Sequence, residues 1–143
     1  MTALPLATAK TIVAAALAKG REMGLKPLSV VVLDGGAAVT AFEREDGASR
    51  MRFEIARGKA NGGLAVGMGS RALGNRAEQQ AYFVQALNGL AGGNVVPVPG
   101  GVLIKDASGT VIGAVGITGD TSDNDETCAV AGIEAAGLVA QVD

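Results

Sequence analysis

Val98 to Gly137 reads VPGGVLIKDASGTVIGAVGITGDTSDNDETCAVAGIEAAG, and this stretch decides the fold. Pro99-Gly100-Gly101 turns the chain into a short apolar strand, Val102 to Lys105. Asp106-Ala107-Ser108-Gly109 supplies the residues of a tight hairpin turn, and Thr110 to Thr118 runs back as the partner strand. Gly113 and Gly116 delete two side chains from that return strand, which predicts a bend, a ligand or the close approach of another backbone. The polar run Thr121 to Glu126 then opens a helix. Asp123 and Glu126 have the spacing of a capping box, and Val130, Ile133, Gly137 and Leu138 form the inner stripe. Just upstream, Val95 to Val98 is expected to be extended, with Pro97 inside it and Pro99 beyond it, which suits a sheet edge.

The same reading extends towards the N-terminus. Leu28 to Leu33, LSVVVL, is a β-branched run closed by Asp34-Gly35-Gly36, and Ala38 to Arg44 returns beside it as a second hairpin. Glu45-Asp46-Gly47 ends the pair. A helix is expected from Leu6 to Met23, with Ala9, Ile12, Val13, Ala16 and Leu17 on one face, Pro5 before it and Gly24 as its left-handed stop. A second is expected from about Ser49 to Leu64, weakened at Gly62-Gly63, and a third from about Arg76 to Leu90. The order is α-β-β-α-α-β-β-β-α. Both hairpins are antiparallel, so the class is α+β, one antiparallel sheet with helices packed on it in a single domain.

Composition narrows the chemistry. The 143 residues include no Trp, one Tyr (Tyr82), three Phe (Phe42, Phe53, Phe83) and 22 Gly. The core must therefore be built from small aliphatics, and a homo-oligomer is expected to add the apolar burial that aromatic residues would otherwise supply. A net charge of −2, with no basic run, argues against a nucleic-acid partner. No apolar run reaches the roughly 18 residues of a membrane span. Met1 to Leu6 lacks the sections of a signal peptide, and the single Cys128 allows no internal disulfide, so the cytoplasm is the expected compartment. The chain has no His, which excludes a histidine triad, a His-based zinc site and a His-ligated haem iron within one chain.

Three stretches in register carry a family resemblance: VVVLDGGAAVTAFEREDG (Val30 to Gly47), FEIARGKANGG (Phe53 to Gly63), and the PGG turn, hairpin, glycine-bearing strand and Asp-rich helix start of Val98 to Gly137. Together they resemble the GlcG/HbpS family, which includes haem-binding HbpS-like proteins and the C-terminal domain of PduO-type proteins. The resemblance implies a profilin-like α/β/α fold with a five-stranded antiparallel sheet, often assembled into homo-oligomers. It also implies a haem or corrinoid-related ligand in some relatives, and small-molecule catabolism without a settled activity in others.

Lys59 falls on the apolar stripe of its helix after Ile55 and Ala56, with Arg52 on the same stripe earlier. A cation there needs an anion. Lys59 and Arg52 can anchor the carboxylate of a haem propionate or a small acid; otherwise Lys59 snorkels to solvent, or pairs with Asp125 or Glu126 at a subunit contact. Gly100, Gly101, Gly119 and Asp120 form loops whose backbone N–H groups can hold an anion, or which are simply turns and a helix cap. Asp125 reads as cap, as partner of Lys59, or as proton acceptor. A bound haem would have to take Cys128, Met51, Met68, Tyr82 or Lys59 as its iron ligand, or have no protein ligand. Arg71 and Arg76 in GMGSRALGNR are expected in a loop that closes over an acidic ligand, or else to be solvated or to bridge subunits. Beside a purely structural role, two functions are expected: a homo-oligomeric accessory protein of a catabolic pathway that binds a small molecule of the haem or corrinoid-related class, or a cofactor-independent isomerase, tautomerase or lyase acting on a small carboxylate. In the second, Lys59 anchors the acid and Asp125 moves a proton.

Overall fold

The computed structural model describes residues 3–143. The LSVVVL run becomes β1 (Ser29–Asp34), in which Val30 to Leu33 are all fully buried, each contributing about 1.5–3 kcal/mol relative to exposure. It lies inside a five-stranded antiparallel sheet, paired on one side with β2 (Val39–Arg44) and on the other with β4 (Val111–Thr118). β3 (Gly101–Lys105) and β5 (Val139–Gln141) complete the order β2-β1-β4-β3-β5. The helices are α1 (Leu6–Glu22), α2 (Arg52–Val66), α3 (Ser70–Gln79), α4 (Ala81–Leu90) and α5 (Ser122–Ala135).

Strand periodicity divides the core into two layers. Val30, Val32, Val115 and Ile117 face α1 and α5, where Ile12, Val13 and Ile133 meet them. Val31, Leu33, Leu103 and Ala114 face α2 at Ala56 and Ala60. The result is the α+β fold expected, helices on both faces of a five-stranded antiparallel sheet. The two β4 glycines mark close backbone approach: a Cβ at Gly116 would strike the Ala56 carbonyl oxygen, and one at Gly113 the Leu33 carbonyl oxygen. Gly24 does stop α1 in the left-handed region, at φ +68°.

Several local expectations are corrected. Val95 to Val98 is not a strand, because the Val96 N–H donates to the Gly58 carbonyl (3.1 Å) and holds this segment against α2 instead of the sheet. The fifth strand is β5 at the C-terminus. The single helix over 76–90 is two helices, broken at Gln80, whose φ of −138° is not helical. GMGSRALGNR is accordingly mostly α3 and not a loop. Gly62 and Gly63 do not weaken the end of α2, which continues to Val66 and stops at Gly67 with φ +72°. In the first hairpin the positive φ falls on Ala37 (+66°) and not on Gly35 or Gly36, while Asp34 Oδ1 accepts from the N–H groups of Gly36 and Ala38 at 2.9 Å. The cap of α5 is Thr121, whose hydroxyl accepts from the Asn124 N–H at 3.2 Å. Asp123 is already inside the helix.

Candidate functional site

Lys59 projects from α2 under the end of β4. Its Nζ donates to the Ile117 carbonyl at 2.9 Å and to Asp125 Oδ2, in the first turn of α5, at 3.2 Å. Both side chains are nearly inaccessible, Lys59 at 2% and Asp125 at 1% exposure. The other carboxylate oxygen of Asp125 accepts the Asp120 N–H at 3.0 Å. Burial lowers the Lys59 pKa against the pull of Asp125, and Arg52 lowers it further; burial raises the Asp125 pKa against the pull of Lys59. Lys59 and Asp125 are thus brought together as a closed ion pair within one chain, and not at the subunit contact where the sequence reading put such a pair.

The glycines around this pair accommodate protein atoms. Gly100, at φ +123°, lies under the Lys59 amine, and a Cβ there would come within 2.8 Å of Nζ. A Cβ at Gly101 would sit 2.8 Å from Ser70 Oγ, which already accepts the Gly101 N–H at 2.7 Å. Gly119 passes beside Leu28 in the left-handed region, φ +148°.

Arg52 reaches from the start of α2 to Thr118, with Nη1 2.9 Å from Oγ1, while its Nε donates to Ser49 Oγ at 2.8 Å. Arg71 in α3 is tied to α5 within the same chain, with Nε 3.0 Å from Glu126 Oε2 and Nη2 bonded to Asp123. Those hydrogen bonds raise its already high pKa. Arg76 stacks over the Phe83 ring at 4.5 Å from its centroid. Sequence reasoning missed Ser29 and Thr118, because they meet through the β1–β4 register, and Ser70, which reaches the Gly101 backbone across the α3–β3 contact; no local pattern encodes either.

The surface hollows lie elsewhere. Two of about 550 and 500 Å³ run between α1 and β2, past Lys10, Val13, Phe42 and Glu43, then Arg21 and Arg44. One of about 450 Å³ lies between α3 and residues 97–99, and an apolar one of about 250 Å³ lies between α2 and α4. None of these is lined by Lys59, Asp125, Arg52, Gly100, Gly101 or Gly119.

The fold has counterparts among known proteins. Residues 4–134 match the family model for haem degrading protein HbpS-like. The chain belongs to this HbpS-like family. No curated protein matches it. Among solved structures, PduOC crystallised as a haem complex superposes with a TM-score of 0.85 at 24% identity, over 96% of this chain and 97% of that one. Klebsiella pneumoniae protein ORFY gives 0.84 at 23% identity, over 96% and 92%. HbpS gives 0.78 at 26% identity, over 94% and 90%.

The donors of this HbpS-like chain do not fit a ligated haem iron. Burial, followed by the charge of Asp125, pushes the Cys128 thiol up to about 11. The Lys59 amine is spent on Asp125 and Ile117. Met51 and Tyr82 stand out in solvent, at 52% and 72% exposure, and Met68 packs against the Leu73–Val84 cluster.

Proposed function

We propose that this HbpS-like chain is a homo-oligomeric accessory protein of a catabolic pathway, working in the cytoplasm, that binds a small carboxylate-bearing molecule of the haem or corrinoid-related class. The observation that carries this reading is the family match over residues 4–134, joined to a haem complex of the same fold. The donor set directs how such a ring is held: by its apolar faces and its carboxylates, and not through the metal. The oligomer is supported by the stretch from Gln79 to Ile104, which contains no charged residue. It leaves Tyr82 and Leu90 of α4 at 72% and 87% exposure, the charge-poor, aromatic-bearing composition of an interface core. No described helix is long and apolar enough to cross a membrane.

The test is a parallel titration with haemin and metal-free protoporphyrin IX, followed by absorbance and fluorescence. Both are expected to bind saturably and within about tenfold of each other, a difference of about 1.4 kcal/mol. Absence of any saturable change with either compound refutes the reading.

One observation favours the second reading, a cofactor-independent isomerase, tautomerase or lyase acting on a small carboxylate. Burial lowers the Lys59 pKa and raises that of Asp125, which brings the pair towards proton exchange. In this reading the Lys59 amine leaves the Ile117 carbonyl to anchor the acid, and Asp125 moves the proton. Solvent-deuterium incorporation into a small carboxylate, lost in Asp125→Asn, would distinguish it from binding alone.

A further inference from the structure

Two arginines, Arg44 on β2 and Arg52 at the start of α2, reach the same end of the sheet through the pairings of one cross-strand row. Val31 and Leu33 point into the α2 layer, so Ser29, two residues earlier on β1, points the same way. Ser29 is directly opposite Arg44 on β2 and Thr118 on β4. Directly paired residues share a face of the sheet, so Arg44, Ser29 and Thr118 form one cross-strand row. Arg52 enters this row from α2 through its bond to Thr118 Oγ1.

The row has more positive charge and more free donors than the protein itself satisfies. Arg44 donates only to the Ala48 carbonyl, at 3.2 Å, and Arg52 only to two hydroxyls. Among the described residues neither has a carboxylate within ion-pair distance: Asp125 is held by Lys59 and Glu45 by Arg21. The Ser29 hydroxyl is fully buried with no hydrogen-bond partner, which is the full desolvation cost of a polar group left unmatched. Thr118 accepts from Arg52, so its own proton remains available to a further acceptor. No side chain caps the N-terminus of α2, the helix end from which Arg52 reaches Thr118.

We propose that Arg44, Arg52, Ser29 and Thr118 form a binding site for a carboxylate. The planar anion matches the Arg52 fork, accepts from the Ser29 and Thr118 hydroxyls, and takes the place of Thr118 as the partner of Arg52 Nη1. Arg44 adds charge at the rim. The carboxylate can belong to the side chain of a tetrapyrrole or to a free small acid. The tetrapyrrole source rests on the function proposed above, whereas the site itself does not.

Calorimetric titration of the full chain separates these sources. The probes are propionate, protoporphyrin IX and protoporphyrin IX dimethyl ester, used with wild type, Arg52→Gln and Ser29→Ala. Arg52→Gln is expected to weaken binding of the free-acid porphyrin about tenfold, or about 1.4 kcal/mol, and to leave the ester unchanged. Ser29→Ala is expected to weaken the free acid severalfold while keeping or raising the unfolding temperature, because it removes an unmatched buried polar group. A structural role alone would not move these two readouts in opposite directions. If the wild type binds neither porphyrin, the tetrapyrrole reading falls and propionate decides the site: binding lost in Arg52→Gln supports it. Absence of propionate binding in that case, or equal binding of the free acid by all three proteins, overturns it.

Discussion

The α2–β4–α5 junction and the outer face of α4 handle polarity in opposite ways. At the junction, Lys59 and Asp125 are charged, buried and matched to each other, and glycines at 100, 101 and 116 let backbone and side chains close around them. On α4 an uncharged segment leaves Leu90 at 87% exposure and Tyr82 at 72%. The first region is complete within one chain. The second presents apolar surface that one chain does not cover. Burial of charge here is a matter of internal architecture, whereas the exposed apolar surface of α4 is what the oligomer proposed above would cover.

The largest effect should come from breaking the matched pair. Lys59→Met leaves the Asp125 carboxylate buried without its cation and is expected to cost about 3–5 kcal/mol in urea unfolding. The double variant Lys59→Met/Asp125→Leu should recover most of that loss, since paired apolar residues of similar size need no compensation. An unmoved midpoint in the single variant would show that the pair does not hold the junction together. On the other side of the comparison, Leu90→Glu should change the stability of the isolated chain by no more than about 0.5 kcal/mol. Sedimentation velocity should nevertheless show the oligomer dissociating; an unchanged sedimentation coefficient would place the contact elsewhere.

The smallest expected effect sharpens the junction at its edge. Hydrogen bonds from the Asn124 side chain and from the backbone N–H groups of Lys26 and Thr121 hold the Asp120 carboxyl at about 2, below its ordinary 3.8. Between these two values the unfolded chain binds more protons than the folded one. The contribution is therefore fully present above 3.8 and disappears as pH falls through about 2. The difference in urea midpoint between wild type and Asp120→Asn should narrow over that window and vanish below it.

Both hairpins were legible because their turns carry Asp and Gly between β-branched runs, and the α1 face was legible from helical spacing. That Lys59 needs an anion, with Asp125 as a candidate, was legible because a cation on an apolar stripe requires one; that the two meet inside one chain was not. Nor was the row of Ser29, Thr118 and Arg44. Ser29 and Arg44 share one hairpin, but Thr118 is remote in sequence and joins them only through the β1–β4 register. The misread strand at Val95 to Val98 has the same origin: its composition suits a strand, but the Gly58 carbonyl of α2 takes the Val96 N–H first.

Residue order alone determined the α+β class, the absence of histidine chemistry and the place of a buried cation on α2. These follow from side-chain periodicity, turn stereochemistry and the cost of an unpaired charge, all of which act over a few residues. Only the tertiary structure decided that Lys59 faces Asp125 and the Ile117 carbonyl instead of a hollow, and that Arg52 bonds Thr118 in the same cross-strand row as the unmatched Ser29 hydroxyl. The reason is geometric: which strands lie side by side is fixed by the packing of the whole sheet, and a donor is satisfied or left over only once that packing is complete.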